Sequence, residues 1–136
     1  MVEGGAIDWA SHANQSDRFI EEQIDFDNAV AAVVQWVETN SSWDETLVIV
    51  TADHETGYLT GPGSNPQWSP VKNNGKGHMP GMEWHSGGHT NSLVPLYAHG
   101  PNSWKLTEKT VGYDPERGAY VDNTAIYPIM LESLQY

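Results

Sequence analysis

Three short segments of this 136-residue chain concentrate side chains able to hold a cation. The first, Glu3-Gly4-Gly5-Ala6-Ile7-Asp8-Trp9-Ala10-Ser11-His12, sets Asp8 and His12 four positions apart. On one helical turn that spacing points both side chains the same way, and a carboxylate with an imidazole suits zinc, which takes O and N ligands tetrahedrally. An ordinary Asp–His hydrogen bond across a turn would use the same spacing. In the second segment, Asp53-His54 follow directly on an apolar run ending in Thr51-Ala52. Adjacent residues leaving a strand point apart, so these two would make different contacts around a metal centre, or one would ligate and the other support. The plainer alternative is a turn in which Asp53 accepts a local hydrogen bond.

The third segment is Trp84-His85-Ser86-Gly87-Gly88-His89-Thr90-Asn91. His85 and His89 are again four apart, but the two glycines between them point to a sharp backbone turn that brings one imidazole inward. His89 is the better ligand candidate; His85 reads as supporting or exposed, and His78 and His99 as loop and edge-strand residues. Glu3, behind Met1-Val2 and ahead of Gly4-Gly5, reads as the last turn of a strand. Neither a phosphate-cradling Gly-rich loop nor a nucleophile elbow is present, and Ser86 beside His85 is too weak a pattern to make a nucleophile and base.

Elements must position these residues, and the pattern is that of an α/β chain forming one partial domain over residues 1–136. Ile20, Ile24, Val30, Val34 and Val37 predict a helix over Ser16–Thr39 with one buried stripe, capped by Ser16 or Asp17. The β-branched run Thr46–Ala52 predicts a strand covered on both faces. Leu93–Ala98 predicts another, with Pro95 at an edge, a strand start or a bulge. The Gly-, Pro-, Asn- and Ser-rich stretch 57–92 reads as a long functional loop whose Trp68 and Trp84 could rim a site. A last helix is expected over Asp122–Gln135, capped by Asp122, with Ile126, Ile129, Met130 and Leu134 inward and a kink at Pro128.

Composition narrows the partners. Lys plus Arg number 6 against 18 for Asp plus Glu, a formal charge of −12. So few cations do not neutralise phosphates, which excludes nucleic acid, and they do not seek an anionic membrane surface. No apolar run approaches the roughly 20 residues of a bilayer span, and the first residues do not read as a signal peptide. The absence of cysteine removes disulfides and thiolate metal sites.

Val2-Glu3-Gly4-Gly5-Ala6-Ile7-Asp8 through His12, then Val50-Thr51-Ala52-Asp53-His54, then Gly88-His89-Thr90 resemble, in order and context, the three metal-binding segments of the alkaline phosphatase family. The resemblance covers the C-terminal part of that family's catalytic domain, a three-layer α/β/α fold with a mostly parallel sheet. It implies that Asp8, His12 and His89 bind a first zinc, Asp53 and His54 a second, and Glu3 contributes to a magnesium site. It implies metal-dependent hydrolysis of phosphate monoesters, a location in the periplasm or outside the cell, and a homodimer. Two zincs can clamp the attacking and leaving oxygens of an in-line phosphoryl transfer, and their charge would draw a phosphate to an acidic chain.

The sequence departs from the family at several places. Trp9 stands near the substrate where some members carry Lys or His. Thr56 stands where several carry a second His, which puts the support of the zinc site in question. The family's serine nucleophile, phosphate-binding arginine and shared aspartate have no match here, so an upstream portion of the domain is expected to be needed for turnover. Glu3 alone should not hold magnesium, which wants near-octahedral oxygen ligation. Two other readings are a related phosphomutase or phosphodiesterase, and a non-enzymatic zinc-binding module.

Overall fold

A computed structural model of the chain describes residues 1–64 and 68–134. In chain order its elements are helices α1 (Ala6–His12) and α2 (Ser16–Asn40), strands β1 (Val48–Thr51), β2 (Glu55–Thr56), β3 (His89–Thr90) and β4 (Leu96–His99), helix α3 (Lys105–Glu108), strands β5 (Thr110–Asp114) and β6 (Gly118–Val121), a 3-10 turn (Asn123–Ala125) and helix α4 (Ile126–Ser133). These residues cluster into two compact units. One comprises Met1–Ala29 with His54–Ser92, the other Val30–Asp53 with Leu93–Tyr136.

In the first unit, α1 stops because Asn14 adopts a left-handed φ of 52°, a conformation Asn tolerates, and α2 then begins at Ser16. The Trp84 indole N–H donates to Ser16 Oγ at 2.8 Å, and its ring meets Phe19 edge-on at 5.4 Å. Trp84 is therefore an anchor between the long loop and the start of the helix. That loop is organised by short antiparallel contacts, β2 against β3 and the bridges Thr60–Glu83 and Lys72–Gly81. Residues 65–67 of the expected loop 57–92 lie outside the described residues.

In the second unit, β1 and β4 run antiparallel, Val48 opposite His99 and Thr51 opposite Leu96. All ladders among the described residues are antiparallel, which differs from the mostly parallel sheet expected. The connection after Thr51 returns the chain to the same end of β1, so β4 starts beside Thr51 and must run backward; a parallel neighbour would need a crossover to the other end. Nor is β1 covered on both faces. Val48, Ile49 and Val50 are half-buried and Thr51 is exposed. Pro95 lies just ahead of β4, where its missing N–H costs no ladder bond, and its carbonyl accepts from the Thr51 hydroxyl at 3.0 Å.

Among the described residues of this unit, the buried apolar side chains are Val37, Leu106 and Ile129. The stripes of α2 and α4 are thus only partly inward: Ile24, Met130 and Leu134 are exposed. Asp122 caps the final element as expected, its Oδ1 accepting the Thr124 N–H at 2.9 Å, but it caps a 3-10 turn that precedes α4. Pro128 therefore falls in the first turn of α4, where an N–H has no intrahelical partner, so the lost bond expected there does not arise. Gln135, the expected helix end, lies outside the described residues. The β5–β6 hairpin was not expected. Its signal is Asp114-Pro115-Glu116-Arg117-Gly118, in which the Asp114 carboxylate accepts the N–H groups of Glu116 and Arg117 at 2.9 and 2.7 Å. No helix among the described residues is long and apolar enough to cross a membrane.

Gly100 closes β4 at a φ of +115°, and a Cβ there would collide with the Thr46 carbonyl oxygen ahead of β1. Gly100→Ala should accordingly cost about 2 kcal/mol or more, through strain and the displaced backbone together. The shift of the urea unfolding midpoint measures it.

Candidate metal centre

Helix α1 places Asp8 in its first turn and His12 in its last, an order the helix dipole favours. His12 Nε2 lies 3.5 Å from Asp8 Oδ2. The other ring nitrogen, Nδ1, is 2.8 Å from the carbonyl oxygen of Gly87. A carbonyl can only accept, so Nδ1 carries a proton, and in the neutral ring Nε2 presents its lone pair. His89, arriving on β3, brings its Nε2 to 3.1 Å from His12 Nε2 and 3.6 Å from Asp8 Oδ1. One ligand atom from each of Asp8, His12 and His89 can be chosen within 4.8 Å of the others, which fits a single cation. These side chains are 34%, 38% and 50% exposed, so the group opens to solvent.

The ladder that delivers His89 is only two residues long, and it is braced from outside. Thr56 stands opposite His89 and Glu55 opposite Thr90. The Glu55 carboxylate accepts the Thr90 hydroxyl and, at 3.2 Å, the Leu59 N–H. Gly57 donates its N–H to Gly88 and accepts the N–H groups of His85 and Ser86 at 3.1 and 3.0 Å, clamping the turn whose Gly87 carbonyl orients His12. Gly57 has a φ of +89° and lies against the Trp84 ring, where a Cβ would come within 2.5 Å of Cε3. Ser86 Oγ accepts the Gly88 N–H at 3.0 Å, so this serine shapes the turn. His85, exposed, reaches the buried Thr60 hydroxyl at 2.8 Å through Nε2 and anchors the loop.

His54 packs against this group without being one of its three members. Its ring stacks on His89 with centroids 3.6 Å apart, and its Nδ1 lies 3.2 Å from Thr56 Oγ1. Thr56 in turn donates to Asp8 Oδ1 at 2.6 Å. That hydroxyl, with His12, His89 and His54 nearby, holds the Asp8 carboxyl below the usual carboxylate range against a smaller opposing effect of burial. Asp53 is exposed on the bend after β1 and falls in the other unit. Glu3 is exposed ahead of α1, in a segment that is not a strand. Its carboxylate curls beside Gly5 at the helix start, and no described strand pairs with residues 1–4 to extend them. Neither Asp53 nor Glu3 belongs to the three-residue group. Trp9 is 74% exposed on α1. Sequence reasoning missed the Gly87 carbonyl and the Glu55–Thr90 brace. A carbonyl leaves no mark on residue type, and Glu55, directly after Asp53-His54, was the only available signal for the brace.

Because its folded carboxyl is depressed, ionised Asp8 stabilises the fold above the ordinary unfolded value of about 4, and this is lost as pH falls through the lower folded value. In the metal-free chain, Asp8→Asn should flatten the acid limb of a plot of urea midpoint against pH below about 4. An unchanged acid limb would mean that the Thr56–Asp8 bond does not favour the charged form.

A family model for alkaline phosphatase matches residues 1–82. Alkaline phosphatase 4 of Bacillus subtilis is 41% identical over 69 residues, covering 50% of this chain and 14% of that protein. Alkaline phosphatase 3 of the same organism is 27% identical over an alignment covering 100% of this chain and 40% of that protein. The chain thus spans well under two thirds of the length of these relatives. Among solved structures, alkaline phosphatase from the Antarctic bacterium TAB5 superposes with a TM-score of 0.55 at 34% identity, over 74% of this chain and 28% of that one. A mutant of the TAB5 enzyme is described with Mg bound in its M3 site. The model match spans more than half of the sequence, through both the α1 and the Asp53-His54 segments, and the chain belongs to the alkaline phosphatase family.

Proposed function

We propose that this chain contributes the zinc-binding portion of a phosphomonoesterase centre. The observation that carries the reading is the convergence of Asp8, His12 and His89, with His12 Nδ1 tied to a backbone carbonyl so that Nε2 is available to ligate. One carboxylate oxygen and two imidazole nitrogens form a donor set that suits zinc, and their exposure suits a catalytic rather than a closed structural site. Zinc held there would supply Lewis acidity that polarises a phosphoryl oxygen and activates water. The family resemblance assigns Asp53 and His54 to a second zinc and Glu3 to magnesium, and implies a three-layer α/β/α parent domain.

In this reading the chain's own residues orient and attract. Gly87 and the Gly57 clamp hold His12 in its ligating tautomer, and the β2–β3 register presents His89 beside it. With a net charge of −12, the surface repels a phosphate monoester except where bound cations reverse the local field. The exposure of Trp9, one residue after Asp8, supports a contact between its ring and the organic part of a substrate. The serine nucleophile has no match in this sequence, so turnover needs further sequence from the parent protein. A location outside the cytoplasm and a homodimeric parent are part of the same proposal.

Zinc titration against a chromophoric chelator tests the ligand set: His12→Ala and His89→Ala should each weaken binding by about tenfold or more. The purified 136-residue chain, with zinc and magnesium at alkaline pH, should release no p-nitrophenol from its phosphate monoester. A longer protein containing these residues should do so, and should lose the activity on Asp53→Ala. Turnover by the short chain that disappears in its own Asp53→Ala variant would refute the need for an outside nucleophile. Zinc binding indifferent to both histidine variants would refute the site.

A further inference from the structure

We propose that Thr56 is a positioning residue whose single hydroxyl couples Asp8 to His54, fixing the carboxylate orientation of one and the tautomer of the other. The inference rests on the metal reading above for its consequence, but its geometry stands independently. Thr56 Oγ1 lies 2.6 Å from Asp8 Oδ1, and that bond is charge-assisted because an ionised carboxylate only accepts. A threonine hydroxyl has one proton, and Asp8 takes it. At the remaining contact, 3.2 Å from His54 Nδ1, Thr56 can only accept, so Nδ1 must carry the imidazole proton. The chain of donors runs from His54 Nδ1–H to the Thr56 hydroxyl to Asp8 Oδ1, and His54 Nε2 is left with its lone pair, the form in which an imidazole binds a metal.

The relay also sets the carboxylate. With Oδ1 engaged by Thr56, Oδ2 is the oxygen turned toward His12, 3.5 Å from its Nε2. Thr56 can hold both contacts because it is itself held. A β-branched side chain on a strand has few χ1 choices, its ladder partner is His89, and the adjacent Glu55–Thr90 bond keeps the two-residue ladder in register. Asp8 comes from α1 and His54 from the bend before β2, so Thr56 is the bridge between residues that the family resemblance assigns to two different zincs.

The test uses the 15N-labelled 136-residue chain, metal-free at pH 8.5, with two-bond 1H–15N correlations reporting which histidine nitrogens are protonated. Wild type should show His54 protonated at Nδ1. Thr56→Val, which keeps the branched shape but removes the hydroxyl, should shift the proton toward Nε2 and weaken zinc binding by about tenfold or more. Thr56→Ser should restore both. A His54 proton on Nε2 in wild type overturns the relay, as does a Val variant with the wild-type tautomer and zinc affinity. If Thr56→Val fails to fold, the wild-type spectrum and the Ser variant still decide. If wild type takes up no zinc, the metal reading fails, while the His54 tautomer still supports or overturns the relay.

Discussion

Two hydrogen-bonded residues on each of two strands, Glu55–Thr56 and His89–Thr90, carry the geometry on which the candidate centre depends. A ladder this short has little stability of its own, because the cost of ordering the backbone is met by few bonds. It persists because neighbours over-determine it. The Glu55 carboxylate crosses to Thr90, and Gly57 exchanges backbone hydrogen bonds with residues 85–88 under the cover of Trp84. A slip of one residue would turn His89 and Thr56 to the opposite face, away from Asp8. Register here is a condition for the site rather than a detail of the loop.

Around that ladder two of the polar protons have a fixed place to go. The Gly87 carbonyl fixes the His12 proton, and Asp8 takes the Thr56 proton. What remains is a lone pair on His12 Nε2 that faces Asp8 Oδ2 at 3.5 Å, an arrangement that a cation relieves. The depressed Asp8 carboxyl follows from the same arrangement, since it answers a donated hydroxyl and nearby imidazoles with a full negative charge. The dispersed acidity of the chain has no part in this. It sets a negative surrounding field.

Much of the site was legible because ligand chemistry restricts residue type. Asp8 and His12 at helical spacing and His89 behind two glycines are patterns that side-chain chemistry alone singles out, whereas Asp53, singled out with His54, lies outside the three-residue group. Helix α2 was legible for a different reason, since a long periodic apolar pattern admits few alternatives. The strands were less so. The run Thr46–Ala52 shows a β-branched strand, yet nothing in it says whether its neighbour runs parallel, and the structure pairs it antiparallel with β4. The β5–β6 hairpin went unseen although its Asp-Pro turn and closing glycine mark it.

The sequence by itself determined which side chains are able to bind a cation and roughly which elements carry them, because donor chemistry and hydrophobic period are properties of residues and their spacing. Only the tertiary structure decided that Asp8, His12 and His89 meet with the His54 ring stacked on His89, that a backbone carbonyl faces His12 Nδ1, and that the Thr56 hydroxyl bonds Asp8. Those outcomes depend on the register of a two-residue ladder and on a carbonyl's direction. Both are set by contacts between segments more than thirty residues apart, as between Glu55 and Thr90, whose separation is 35, and local spacing carries no record of them.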